Sequence, residues 1–313
     1  YSYYFLTEGE APAVMPQAAT ASGASQTVTT VPQQALIDRD ETVWYGGGRD
    51  FYASDDLQGS GYTYKLPMAG AVADVVPTLD WDVSASSALS SVKVSLKAGS
   101  EDVSTVTISQ LGENESAGGI RQNGLSLPMY QGKSEAAFTL SANGSARLNY
   151  LRLHFTQTLS TRYTTGSFTP GLKGAAQLRI ADADAYTRLW QLGGAQQPVA
   201  EVPATLNGST LVADVADAAA RFVLVNLQGN YNEPELVGEV QNQDLHATGP
   251  TDYVIIVPAS GKLTEQAERL AQAHREASGM RVLVVRADEV FNEFSSGTPD
   301  ATAYRRFMKM LYD

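Results

Sequence analysis

The chain of 313 residues contains no cysteine. It therefore has no thiolate with which to attack a carbonyl or bind a metal. The absence fits a periplasmic or surface β protein and equally a short domain that happens to have none, so it does not fix a compartment. Histidine is scarce, with three in all: His154, His246 and His274. No two stand at metal-ligand spacing, and none lies in a sequence cluster with carboxylates. No GxSxG-type serine is present for a histidine to activate. No apolar run approaches the roughly 20 residues of a membrane helix, and no signal peptide is visible. Basic residues are outnumbered 22 to 34, a formal charge of −12. Residues 251–313 hold nine acidic and eight basic residues, so −11 of that charge precedes them. With no basic stripe carrying interleaved aromatics, nucleic acid is not expected as a partner. Repeats and heptads are missing too.

What is present divides into two kinds of chain, each with its own period. Residues 8–34 are dominated by Ala, Pro, Gln, Ser and Thr, and this composition predicts a flexible loop or insert. Beyond Leu36, period-two alternation marks strands with one buried face, as in Tyr62–Leu66, Val92–Leu96, Val103–Ile108, Ala136–Leu140, Leu148–Phe155 and Phe222–Leu227. Asn143-Gly144 and Asn207-Gly208 carry a hairpin signal. Gly46-Gly47-Gly48, between Trp44-Tyr45 and Phe51-Tyr52, predicts a bulged or looped strand pair. Residues 1–246 therefore read as one mainly β, antiparallel sandwich or jelly-roll-like domain. From Tyr253 the period changes. Tyr253–Val257 is continuously apolar, Leu263, Ala267, Leu270, Ala271 and His274 recur at helical spacing, and Gly279 sits where a helix ends. Arg281–Arg286 reads as a second strand. Thr298-Pro299-Asp300 predicts an N-cap, a first-turn proline and an acid at the start of a helix over Ala301–Leu311. Strand, helix, strand, helix implies a right-handed parallel crossover over 251–313.

Candidate chemistry is thin. His154 is expected on the polar face of its strand, His246 bonded to a backbone group at the junction, and His274 half-buried in packing. The carboxylate pairs Asp55-Asp56, Glu101-Asp102, Asp182/Asp184 and Asp288-Glu289 read as solvated turns, with a calcium site as the sharper alternative at Asp182/Asp184. Trp44, Tyr45, Phe51 and Tyr52 read as core packing, with a sugar-stacking platform as the alternative. Asn143-Gly-Ser and Asn207-Gly-Ser match the N-glycosylation acceptor but read better as turns.

Several patches, in order and spacing, resemble one family: Tyr1–Thr7, Gly48-Arg-Asp-Phe-Tyr, Tyr150-Leu-Arg-Leu-His-Phe-Thr-Gln-Thr-Leu, Val240–His246 and Phe291–Tyr312. The resemblance is to gingipain-like cysteine peptidases, specifically the C-terminal signal peptidases of type IX secretion. Leu189-Trp190-Gln191 departs from a Trp-Asp-Val-Thr run in relatives. The resemblance implies that 251–313 begin a caspase-like α/β peptidase domain. It also implies cargo proteins with C-terminal sorting domains and outer-membrane secretion components as partners, at the cell surface or in the periplasm of Bacteroidetes-type bacteria. The family's catalytic His and Cys are expected beyond Asp313, so the chain reads as an internal segment of a longer protein. No catalytic, cofactor-binding or metal-binding residue of the family maps onto it, and no cofactor is expected. The α/β part is expected to be ordered only by packing on the β domain, on a second copy of the chain, or on both. The other function class left open is a surface carbohydrate-binding or adhesive β-sandwich module.

Overall fold

The computed structural model describes residues 3–6, 14–21, 23–24, 26–45, 50–113, 115–193 and 198–313. The glycine turn expected at Gly46-Gly47-Gly48 and the opening stretch of the expected insert lie outside the described residues. Two compact units result, Val14–Tyr231 and, separately, Asn232–Asp313 with Tyr1–Ala13.

In chain order, the strands of the Val14–Tyr231 unit are β1 (Gln26–Val28), β2 (Thr30–Asp38), β3 (Tyr62–Pro67), β4 (Thr78–Ala85), β5 (Val92–Ala98) and β6 (Glu101–Ile108). They continue with β7 (Gly118–Ser126), β8 (Glu135–Ala142), β9 (Ala146–Thr158), β10 (Ser167–Phe168) and β11 (Ala176–Ile180). The last are β12 (Thr187–Leu192), β13 (Ala200–Val202), β14 (Thr205–Asn207), β15 (Thr210–Val215) and β16 (Arg221–Asn226). Between Leu36 and Gln241 the described residues hold no α-helix, only the 3-10 turn Pro128–Tyr130.

The alternation in these strands buries two separate cores. Sheets ordered β2-β9-β4-β7 and β3-β8-β5-β6 enclose the first. Leu79, Trp81 and Val83 of β4 and Leu151 and Leu153 of β9 meet Val94, Leu96, Phe138 and Leu140 from the other sheet. The Trp81 indole N–H, which burial would otherwise leave unpaired, donates to Gln122 Oε1 at 3.0 Å. Sheets ordered β1-β11-β15-β14 and β10-β16-β12-β13 enclose the second core, with Val28, Leu178, Ile180, Leu189, Leu211 and Phe222 inside. Among the described residues, every strand ladder of this unit is antiparallel except β1 on β11. Truncating the fully buried Phe138 should cost about 3–5 kcal/mol. Urea unfolding of Phe138→Ala checks this, and a loss under about 1 kcal/mol would contradict the packing described.

Three local expectations are corrected. The stretch 26–34, expected within a flexible insert, forms β1 and most of β2, with Val28 and Val31 buried. Its β-branched run Thr27-Val28-Thr29-Thr30-Val31 gains ladder partners on β11 and β9, which outweighs the polar composition around it. Asn143-Gly144 does not close a hairpin, because β8 and β9 lie in different sheets. Asn143 instead accepts the Lys93 N–H on Oδ1 at 2.8 Å and turns the chain from one sheet to the other. Asn207-Gly208 does close a hairpin, with Gly208 at φ +62°. The helix N-cap is Asp300 rather than Thr298, its side chain accepting the Thr302 N–H at 2.8 Å.

The second unit carries β17 (Tyr253–Val257), α1 (Thr264–Ser278), β18 (Val282–Arg286), α2 (Ala287–Phe294) and α3 (Ala301–Tyr312). β17 and β18 pair in parallel, as a crossover through α1 requires. Gly279 takes φ +63° and its N–H returns to the Arg275 carbonyl, ending α1 where the sequence placed the stop. Alternate strand residues serve two faces. Val254, Leu283 and Val285 pack with Val290, Phe294, Ala303 and Phe307 of α2 and α3, while Tyr253 tilts against His274 of α1 at 4.9 Å between centroids. Asp252 accepts a bidentate pair from Arg281 at 2.8 and 2.6 Å and so ties the start of β17 to that of β18.

Residues 232–243 have no regular structure, and Leu236 is 88 % and Val237 77 % exposed. Limited proteolysis should therefore cut here first. A first cut inside β4 or β9 would contradict this assignment.

Candidate functional site

The junction before β17 is built around one carboxylate. Gln243, the 3-10 turn Leu245–Ala247 and the C-terminal half of α2 converge on Glu293. A negative charge near a helix C-terminus is unfavourable on its own, and here it is fully engaged. Glu293 Oε1 accepts from Gln243 Nε2 at 2.8 Å and from the Leu245 N–H at 2.7 Å. Oε2 accepts from His246 Nδ1 at 2.6 Å and from the His246 N–H at 3.3 Å. Because a carboxylate only accepts, the Nδ1 position of His246 carries the proton in this arrangement. The imidazole lies flat on Phe294, centroids 4.7 Å apart and planes 17° apart. Asp244 caps the turn by accepting the Ala247 N–H at 3.0 Å. Burial alone would raise the Glu293 carboxyl, but the Gln243 amide and the Leu245 and His246 donors outweigh it and hold it below the ordinary range.

Asp244, His246 and Glu293 thus place ligand-type atoms within 4.8 Å of one another. This corrects two readings: His246 bonds a side-chain carboxylate rather than a backbone acceptor, and one histidine does stand among carboxylates. The sequence hid the cluster because Glu293 lies 47 residues beyond His246. Both Glu293 oxygens already accept two protein donors each, so the group is a structural clip. The His246–Glu293 pair has the form of a base and its orienting acid, but these 313 residues hold no thiol for it to activate.

The other singled-out residues lie apart. His154 Nε2 meets Asp80 Oδ2 at 2.9 Å on the polar face of β9. Asp182 accepts from Ser160 Oγ at 2.5 Å, while Asp184 accepts from Thr187 Oγ1 and Asn226 Nδ2, each at 2.9 Å. These bonds are those of ordered turns. Asp55 pairs with Arg39 at 3.0 Å, Asp56 accepts from Ser145 Oγ at 2.9 Å, and Asp102 pairs with Lys97 at 3.3 Å. Asp288 pairs with Arg286, and Glu289 accepts the Arg286 N–H at 2.8 Å to cap α2. Of the aromatics, Tyr52 is buried and Trp44 donates to Ser84 Oγ at 2.8 Å, whereas Tyr45 and Phe51 are exposed. They form no single stacking platform.

Residues 246–313, from the clip through α3, match the model of peptidase family C25. The chain's fold is similar to that of dimeric latent PorU from Porphyromonas gingivalis, with a TM-score of 0.75 and 24% identity over 96% of this chain. This chain spans 30% of that one. A carbohydrate-binding module of Cellvibrio mixtus lichenase 5A, in complex with cellotriose, aligns over 45% of this chain and 97% of its own at 17% identity. Its TM-score is 0.22, too low to carry weight. A search of curated proteins returned no match. The chain is thus similar to a gingipain-like, PorU-like cysteine peptidase region.

Proposed function

We propose that the chain is the noncatalytic leading part of a sortase-like cysteine peptidase that removes C-terminal sorting domains from type IX secretion cargo at the outer membrane. The observation that carries this reading is the family C25 match over 246–313, which falls on the unit formed by β17, α1, β18, α2 and α3. The sequence is consistent with a noncatalytic role, since the thiol such a reaction needs is absent from the chain. In this reading the two sandwiches dock or scaffold, and the α/β unit contributes the first two strands of the peptidase sheet. Cargo with sorting domains and outer-membrane secretion components are the partners. Self-association through the α/β unit is part of the proposal, and a dimeric state is what is described for latent PorU.

Deleting the coding region for residues 1–313 from the source bacterium tests it. Cargo should then retain its sorting domain, seen as a mass increase on surface or periplasmic cargo. Normal cargo processing in the deletion strain would defeat the proposal.

A further inference from the structure

The solvent-facing side of the β2-β9-β4-β7 sheet carries a polar pocket of about 390 Å³ that the peptidase reading does not use. Its origin is visible in the pattern of β9. Apolar residues stand at 146 and 148 and then at 151, 153 and 155, a slip of one residue in a period of two. The ladder shows the same slip: Asp82 pairs with Tyr150 and Val83 with Leu148, so Asn149 has no partner on β4. On the other side β2 pairs with β9 only from Tyr150 onward. Such a bulge redirects a side chain out of the strand's regular alternation, and Asn149 lines the pocket.

Four other polar side chains complete the wall: Asp50 and Tyr52 on the incoming segment, Asp82 on β4 and Arg121 on β7. Tyr52 is held by reciprocal backbone bonds with Thr42 at 3.0 and 2.9 Å. Arg121 Nε donates to Asp82 Oδ2 at 2.9 Å, and its guanidinium lies 5.3 Å from the Tyr150 ring centroid. The ion pair and the ring orient the Arg121 fork, whose side chain is 57 % exposed and keeps its remaining donors open to solvent. Gly118 and Gly119 bring β7 backbone to the pocket without side chains.

We propose that this pocket binds a neutral polyhydroxylated ligand, one or two sugar units of a saccharide. Anions are disfavoured by two carboxylates in the wall and by the −11 charge carried before residue 251. A bare cation is disfavoured because Arg121 already occupies Asp82. What remains is a set of acceptors, a guanidinium donor, an amide that does both, and a phenol. That set complements vicinal hydroxyls, which donate and accept at once. The proposal does not rest on the peptidase reading.

The test is chemical-shift mapping on the whole chain with glucose, galactose, mannose, rhamnose, N-acetylglucosamine and cellobiose, with inorganic phosphate and calcium chloride as ionic controls. At least one sugar should shift the amides of Tyr52, Ile120, Arg121 and Asn149. Asn149→Ala should weaken that binding about tenfold while near-UV circular dichroism stays unchanged. Asp50→Ala, a second lining residue, gives the same readout if Asn149→Ala fails to fold. The proposal is overturned if no sugar moves these resonances, if phosphate or calcium moves them instead, or if the foldable variant binds the sugar as tightly as the parent chain.

Discussion

Glu293→Gln should destabilise the α/β unit by about 2–4 kcal/mol, because the amide cannot accept all four donors now directed at the carboxylate. The variant should also change the response to acid. The folded Glu293 carboxyl is held below its ordinary value. Its contribution is therefore complete above the unfolded pKa of about 4.3 and is lost as pH falls through the lower folded value. Stability of the parent chain should decline in that acidic window, and Glu293→Gln should lack this part of the decline. Urea titrations at a series of acidic pH values measure both effects. Identical pH slopes in the two proteins would show that the clip does not stabilise the junction.

The second large effect is an absence of chemistry. Incubated with a peptide spanning a sorting-domain junction, the 313-residue chain should leave it intact, since deleting the nucleophile of a triad-type peptidase removes on the order of a million-fold in rate. Cleavage by this chain that persists with thiol-peptidase inhibitors present would place the reaction on other residues and defeat the peptidase assignment.

Much of the fold was legible because burial follows period. β5, β8 and β9 appear as alternating apolar residues, and β17 as a continuous apolar run, although Tyr253 and Ile256 in that run stay exposed rather than covered. β1 and β2 escaped because small and polar residues surround Val28 and Val31, and only their ladder partners show why they are ordered. α2 escaped although Asp288 and Glu289 in its first turn and Val290, Phe291 and Phe294 on one side are ordinary helix signals. It follows β18 without a loop, so no turn residue announced it. The division of the β region into two cores was not legible, because alternation shows that a face is buried but not which sheet covers it. Tertiary proximity hid the rest. Glu293 meets His246 only after α2 folds back on the junction, and the Asn143-Gly144 dipeptide has the same local chemistry whether it joins strands of one sheet or of two.

The most direct test of the central claim is the reading frame that follows the codon for Asp313 in the source genome. A histidine in a glycine-rich turn, and then a cysteine directly after a further apolar strand, is the predicted result. A frame that closes or continues without such a cysteine would contradict the assignment of this chain to the leading part of a cysteine peptidase.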